Sequence, residues 1–263
     1  KQILAGLVSQ LTRRRRTLLP SLARTEGWQS LLDTLQQARN ALAPRVRTGV
    51  PLAEYIATID SLTQSLPNAE QLNTIRDYNH YMIDTLENLV PLRGVRLLDI
   101  GASPHGYALE RALALGVAEY VGIGLGINAP IEIAGEPGDG KLLPMNATQL
   151  GLEDASFDLV ISISTFEHIG DVPAALAEIQ RVLKPGGKAL ITFEPIWTCA
   201  YGHHLHHFGP IAQHMPDWAH LVWDKPTMLR ELANVWPADG APTLAEAADW
   251  VYDSPALNRI GLP

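Results

Sequence analysis

The sequence predicts an α/β fold, built on a doubly wound and mostly parallel sheet, with an all-helical cap or arm at its N-terminus. From residue 95 onward, short apolar runs of strand length alternate with segments of helical periodicity, the pattern of parallel strands joined by crossover helices. Before residue 92, apolar residues recur only at helical spacing. Two domains follow: a helical cap or docking arm over 1–92, and an α/β domain over 93–263.

Within the predicted arm, prolines separate the helical stretches, where helices are expected to end. They are Pro20, Pro44, Pro67 and Pro91. Each helix carries one apolar stripe, so the arm could bind a protein partner or a second copy of the chain.

The α/β domain should contain alternating strands and helices in chain order. Strands are predicted at 95–100, 120–123, 157–163 and 188–193, and helices at 107–115 and 173–183. From about residue 196 the chain becomes rich in histidine and tryptophan, with two further helices near 226–235 and 243–252. Ligands of such sheets bind at the carboxyl ends of the strands.

Composition excludes several classes of protein. The chain has 263 residues, 46% hydrophobic and 18% charged, enough to bury a sizeable core. No apolar run approaches the roughly 20 residues of a membrane-spanning helix, and no signal peptide is recognisable. The single cysteine, Cys199, cannot form an internal disulfide, which fits a cytoplasmic setting. The first residue, Lys1, is not methionine, so we expect the chain to be cut from a longer one.

The charge distribution argues against a nucleic-acid partner. Residues 1–94 hold 11 lysines and arginines against 8 aspartates and glutamates, whereas residues 95–263 hold 9 against 20. An acidic main body repels a phosphate backbone. We interpret the basic run Arg13–Arg16 as a solvated helix face.

Four motifs follow one another in the α/β domain. The first is a strand that ends in Asp99 and a turn of small residues before a helix, where backbone N–H groups can approach a ligand closely. The others are Leu-Pro-Met-Asn-Ala at 143–147, Ser-Phe-Asp-Leu-Val at 156–160 with Phe-Glu-His-Ile at 166–169, and Leu-Lys-Pro-Gly-Gly at 183–187.

In order and spacing, these motifs resemble the small-molecule type of class I S-adenosylmethionine-dependent methyltransferases, over about residues 95–195. The resemblance implies a Rossmann-like sheet and S-adenosylmethionine as cofactor. It also implies that Asp99, Gly101 and Ser103 hold the methionine end of the cofactor, and that Asn146, with Ala147 beside it, contacts the adenine.

Two positions depart from the family pattern. His105 occupies the place of the third glycine of the turn after Asp99. Gly124 occupies the place of the acid that usually binds both ribose hydroxyls. Losing such a bidentate contact should cost about 1–3 kcal/mol of binding unless another group substitutes.

The acceptor side is predicted from a concentration of histidines between residues 203 and 220. Histidine suits proton removal because its unperturbed pKa lies near 6.5. The candidate catalytic residues are His168, His203, His204 and His207. Glu167 and His168 also resemble part of the E-x-x-E-H motif of metal-assisted relatives, although Ser164 replaces the first acid. A divalent ion held by Glu167, His168 and His204 is therefore a second possibility. Packing and loop hydrogen bonding are a third, and the sequence leaves all three open.

Two functions of different classes follow. The first is a methyltransferase that uses S-adenosylmethionine on a small-molecule, sugar or phenolic hydroxyl. The alternative is a non-catalytic, methyltransferase-like module that serves as an interaction domain in a larger protein, suggested by Gly124 and by the altered turn.

Overall fold

The computed structural model describes residues 49–65, 69–127, 130–205, 214–237, 243–254 and 257. These residues form two compact units. The first, the sheet unit, contains the described residues up to Thr165 together with Asp171–Thr192. The second, the helical unit, contains Phe166–Gly170 and the described residues from Phe193 onward.

The sheet unit is built on a mostly parallel sheet, which in the described part of the chain has seven strands in the order β1-β4-β5-β3-β2-β6-β7. Only β4 and β5 pair antiparallel. The strands are β1 (Val50–Pro51), β2 (Arg96–Ile100), β3 (Glu119–Ile123), β4 (Ile131–Ala134), β5 (Asp139–Leu143), β6 (Phe157–Ser162) and β7 (Leu183–Ile191). The predicted fold class is confirmed.

The register brings the ends of the central strands together. Asp99 of β2 lies opposite Gly122 of β3 on one side and Ile161 of β6 on the other. Because these strands are parallel, the loops that follow them leave the sheet at one edge. The central strands are almost fully buried, as expected where both faces of a parallel sheet are covered.

Four helices of the sheet unit flank this sheet: α1 (Leu52–Gln64), α2 (Ala69–Leu89), α3 (Tyr107–Ala114) and α4 (Val172–Val182). Helix α4 begins where the sequence predicts it. The Asp171 side chain accepts a hydrogen bond from the backbone N–H of Ala174, and Pro173 occupies the first turn.

Helices α1 and α2 lie in the predicted N-terminal arm, but the structure places them in the same unit as the sheet. Strand β1, directly before α1, pairs with β4 through Val50 and Pro51, so the described part of the arm is not all-helical as predicted. The rest of the predicted arm, up to residue 48, lies outside the described residues. The domain division at residue 92 stays a prediction.

The helical unit contains a short 3-10 helix (Phe166–His168) and the helices α5 (Ala219–Val222), α6 (Lys225–Leu232) and α7 (Leu244–Asp253). Its core is apolar, with Trp197, Leu205, Met228 and Trp236 among its buried residues. Two tryptophans therefore serve packing. Helix α7 starts at a capping box formed by Thr243 and Glu246. Across the described ranges, no helix is long and apolar enough to cross a membrane.

Candidate functional site

The loop between β2 and α3, residues 101–106, is called here the cofactor loop. Both of its glycines have positive φ, +92° at Gly101 and +65° at Gly106, a conformation that other residues rarely adopt. The N–H groups of Gly101 and Ala102 both donate to the carbonyl of Ile123 at 2.8 Å, and Gly106 N–H donates to the carbonyl of Ser103 at 3.0 Å. The loop is therefore a tight turn fastened to the end of β3.

The loop after β6 packs against the same turn. A Cβ atom on Gly101 would collide with the side chain of Thr165, so no larger residue fits at position 101. Thr165 is oriented by its hydroxyl, which donates to the carbonyl of Ile163 at 2.9 Å. The preceding residue, Ser164, has a φ of +45°, and backbone outliers of this kind concentrate at functional sites.

Asp99 is buried beneath the cofactor loop, with 4% of its surface exposed. The hydroxyl of Tyr120 on β3 donates a hydrogen bond to its carboxylate. Burial raises the pKa of Asp99 to about 6, and the Tyr120 hydrogen bond opposes that rise. In the structure Asp99 thus joins β2 to β3, while its contact with a cofactor stays a prediction.

Ser103 and His105 form a small network inside the loop. Ser103 Oγ lies 2.8 Å from His105 Nδ1 and accepts the backbone N–H of His105 at 3.2 Å. The imidazole stacks on Tyr107 with a centroid distance of 5.2 Å. Burial lowers the pKa of His105 to about 4, so the ring is neutral at pH 7. Its Nε2 is buried and has no hydrogen-bond partner among the described residues.

Gly124 follows β3 and is sterically fixed. Its N–H donates to the carbonyl of Leu143 at 3.1 Å. A Cβ atom at this position would lie 2.6 Å from the carbonyl oxygen of Ala102. Any side chain there would require a backbone shift, so the packing itself accounts for the missing acid.

Asn146 and Ala147 follow β5, which pairs with β3. Asn146 is exposed, and its Oδ1 accepts the N–H of Thr148 at 3.1 Å. The structure therefore places Asn146, Asp99, Gly101 and Ser103 on loops or strand ends of one sheet edge. Their contacts with adenine and methionine stay predictions.

Glu167 is a buried acidic residue of the helical unit. It lies in the 3-10 helix and is 6% exposed. One oxygen, Oε1, accepts the N–H of Glu194 at 3.4 Å, whereas Oε2 is buried without a hydrogen-bond partner in the described part of the chain. Burial raises the pKa of Glu167 to about 7, helped by the charge of Glu194 and opposed by backbone hydrogen bonds. Such a carboxyl group can exchange a proton near neutral pH.

Three buried histidines belong to the same unit: His203, His204 and His220. Nε2 of His204 lies 2.8 Å from the carbonyl of Pro195, and Nε2 of His220 lies 2.7 Å from that of Trp197. Because a carbonyl only accepts, Nε2 carries the proton in both rings. His203 instead accepts the N–H of Leu205 at Nδ1, at 3.0 Å. His204 also has a φ of +55°.

Four of the predicted acceptor-side residues, Glu167, His168, His203 and His204, thus belong to one unit. His168 is exposed, and its ring centroid lies 5.3 Å from that of His204. His207 lies outside the described residues. Among the side chains that the structure describes, no three histidine, cysteine, aspartate or glutamate residues form a group that could hold a metal ion. The predicted ligand set Glu167, His168 and His204 is therefore not assembled as a metal site.

The sequence gives no signal for several residues that shape the site. Tyr55 lies 49 residues before Pro104, and its hydroxyl donates to the Pro104 carbonyl at 2.8 Å. In the sequence, Tyr120 has the features of any strand residue, and His220 is not distinguished from the neighbouring histidines. A tyrosine hydroxyl within an apolar segment is the one feature that could have suggested the hydrogen bonds of Tyr55 and Tyr120.

Residues 98–191 match a family model described as a methyltransferase domain. Together with the sheet, this match identifies the segment as a domain of the class I S-adenosylmethionine-dependent methyltransferases.

The curated proteins that are similar to this chain include two O-methyltransferases and one uncharacterized protein. The O-methyltransferase rstn1 of Aspergillus nomiae is 36% identical over 40% of this chain and 49% of its own length. A ubiquinone biosynthesis O-methyltransferase of Nitrosococcus oceani is 28% identical over 46% and 53%. An uncharacterized 37.1 kDa protein in transposon TN4556 of Streptomyces fradiae is 32% identical over 66% and 48%. The chain thus spans about half the length of the curated relatives it matches.

The family implies S-adenosylmethionine, and the residues of the sheet unit fit it at two places. The cofactor loop has a side-chain-free Gly101 and ends at the N-terminus of α3, and the buried Nε2 of His105 in the same loop has no hydrogen-bond partner in the described part of the chain. Asn146 is exposed at the end of β5. At the ribose position, Gly124 supplies no side chain.

Proposed function

We propose that the chain is an S-adenosylmethionine-dependent methyltransferase that methylates a hydroxyl group of a small molecule, sugar or phenol. We choose a hydroxyl as the acceptor because of the environment of Glu167. A buried carboxylate with one unpartnered oxygen and a pKa of about 7 suits removal of a hydroxyl proton at neutral pH.

The cofactor would supply an electrophilic methyl group, and the chain's own residues would orient the reactants and move the proton. Gly101 and Ser103 of the cofactor loop, with Asn146 and Ala147, would hold the cofactor. Glu167 would accept the proton from the acceptor hydroxyl.

The candidate histidines His168, His203, His204 and His207 would contact the acceptor. The Nε2–H of His204 donates to the carbonyl of Pro195, which orients this ring.

The names of two relatives support a hydroxyl acceptor. Both are named O-methyltransferases, and their similarity covers somewhat less than half of this chain. A divalent ion, a protein partner and a cytoplasmic location remain predictions from the sequence.

A non-catalytic module is the second candidate function, and Gly124 favours it. The crowding of Gly124 by Ala102 excludes the usual ribose-binding acid, which weakens cofactor binding unless another group replaces it. In this reading the fold serves as an interaction domain within a longer protein.

Calorimetry with S-adenosylhomocysteine separates the two functions. We expect binding, and we expect Asn146→Ala to weaken it about 3- to 10-fold through loss of one hydrogen bond. Asn79→Ala is the matched control and should bind like the wild type, because the Asn79 side chain donates to the Ile75 carbonyl within α2. A folded wild-type protein that shows no binding at millimolar ligand would overturn the enzyme and leave the module.

A further inference from the structure

Tyr55 on α1 is a fully buried residue in contact with the cofactor loop. Only 1% of its surface is exposed, and its hydroxyl donates to the buried Pro104 carbonyl at 2.8 Å. Burial raises the pKa of Tyr55 above its ordinary value, so the hydroxyl keeps its proton and remains a donor. The hydrogen bond joins parts of the chain that are 49 residues apart.

The Tyr55 ring makes a second contact, with Gly106 at the start of α3. A Cβ atom on Gly106 would lie 2.8 Å from the Tyr55 hydroxyl oxygen and 2.9 Å from Cε1. The ring therefore fills the space that a side chain at position 106 would occupy. Hydroxyl and ring together hold the Pro104–Gly106 half of the loop.

The two halves of the cofactor loop are held differently. The first half is fastened to β3 by its own backbone, because Gly101 and Ala102 both donate to Ile123. In the second half, the N–H groups of His105 and Gly106 bond to Ser103, inside the turn itself. The Tyr55 hydroxyl joins this second half to α1, and the His105 ring stacks on Tyr107 of α3.

Helix α1 is in turn held firmly enough to act as a support. Its first turn follows β1, whose Val50 and Pro51 pair with β4. Farther along, Arg76 on α2 bonds to Asp60 on α1 and to Glu110 on α3, each at 2.6 Å. The position of Tyr55 relative to α3 is therefore fixed on both sides.

We propose that Tyr55 is a positioning residue for the cofactor loop, through its hydrogen bond to Pro104 and its ring contact with Gly106. Helix α1 then forms part of the cofactor site's support, in addition to any docking role of the N-terminal region. The effect on cofactor affinity rests on the proposed function; the effect on the loop itself does not.

The test uses Tyr55→Phe, which keeps the ring and removes only the hydroxyl. We expect S-adenosylhomocysteine to bind about 3- to 10-fold more weakly, the loss of one hydrogen bond. In methyl transfer, KM for S-adenosylmethionine should rise while kcat changes little. In the protein without ligand, the amides of Ser103, His105 and Gly106 should exchange with solvent faster.

Tyr252→Phe is the matched control, because the Tyr252 hydroxyl has no hydrogen-bond partner among the described residues. It should leave affinity, KM and loop exchange unchanged. Equal affinity and equal loop exchange in Tyr55→Phe and wild type would overturn the proposal. If the wild type binds no S-adenosylhomocysteine, the proposed function fails. Amide exchange in the cofactor loop then tests the role of Tyr55 by itself. Faster exchange in Tyr55→Phe supports a positioning role for Tyr55, and unchanged exchange overturns it.

Discussion

At the scale of single residues, the burial of Glu167 lowers the stability of the fold and also gives the carboxyl group a pKa suited to a general base. A buried carboxylate with an unpartnered oxygen destabilises the folded state when it is charged. The same burial raises its pKa to about 7, where a general base works best. Groups with this combination are concentrated at functional sites.

Replacing Glu167 by Gln should therefore slow the reaction and stabilise the fold above pH 7. We expect kcat to fall about 10²- to 10⁴-fold, the usual contribution of a general base. In the wild type, kcat should rise with pH and level off above about 7, because the carboxylate is the active form. The variant should lose this rise.

Rates measured between pH 5.5 and 8.5, with melting temperatures at pH 8, test this prediction. Glu153→Gln, at an exposed position of the sheet unit, is the control and should keep the wild-type profile. An unchanged kcat in Glu167→Gln would mean that Glu167 is not the base, and that a histidine accepts the proton instead.

Gly124 supports a second prediction, because the family pattern and the structure disagree about it. From the pattern alone, Gly124→Asp should restore a ribose-binding acid. From the structure, its Cβ would lie 2.6 Å from the Ala102 carbonyl oxygen, so we expect a loss of about 1–3 kcal/mol of stability and no gain in affinity. Calorimetry measures the affinity, and thermal melting measures the stability. Gly151→Ala is the control, since its nearest neighbour would be 3.9 Å from the new Cβ. Tighter binding by Gly124→Asp would show that the crowding relaxes.

The sequence predicts single residues well where a motif has a fixed spacing. It indicates the turn after Asp99, the pair Glu167–His168 and the missing acid at 124. It does not indicate Tyr55 or Tyr120, because their hydrogen bonds join residues that only the folded chain brings together. It also cannot show that Gly124 is crowded, because the obstacle is a backbone carbonyl.

At the scale of elements, long and strongly patterned segments were predictable and short ones were not. The apolar runs of β2 and β6 and the Asp171 cap of α4 are visible in the sequence. Strands β4 and β5 alternate buried and exposed residues over only four and five positions, and β5 contains Gly140. Strand β1 has two residues and exists only because β4 lies beside it.

Helices α1, α2 and α3 of the sheet unit are joined by an ion-pair network centred on Arg76. Removing it with Arg76→Gln should cost about 1–2 kcal/mol, because Arg76 forms several charge-assisted bonds and is only 23% exposed. Thermal melting should show a drop of roughly 2–8 °C. Arg230→Gln is the matched control: its pair with Glu231 is 67% and 46% exposed and should contribute almost nothing. Equal melting temperatures in the two variants would contradict the prediction.

At the scale of the whole molecule, each unit contains a buried acid whose pKa is raised by burial and a buried histidine whose pKa is lowered by it. In the sheet unit, burial raises the pKa of Asp99 to about 6 and lowers that of His105 to about 4. In the helical unit, burial raises the pKa of Glu167 to about 7 and lowers that of His220. All four shifts favour the neutral form in the folded state.

These shifts predict how stability depends on pH. An acid with a raised pKa keeps its proton in the folded chain after the unfolded chain has lost it, so stability falls as pH rises from 3.8 to about 6 for Asp99 and from 4.5 to about 7 for Glu167. A histidine with a lowered pKa has the opposite effect, so stability rises between about pH 4 and 6.5 for His105.

Glu167→Gln removes the falling contribution of Glu167. Relative to the wild type, the stability of the variant should therefore rise by up to about 1.4 kcal/mol between pH 5 and 6, roughly 2–4 °C in melting temperature. Melting curves at pH 5.0, 5.5 and 6.0 for wild type, Glu167→Gln and Glu153→Gln test this prediction. The exposed control Glu153→Gln should follow the wild type. A difference in melting temperature between Glu167→Gln and wild type that stays the same from pH 5.0 to 6.0 would mean that Glu167 keeps its ordinary pKa in the fold, and the argument for a buried base would be lost.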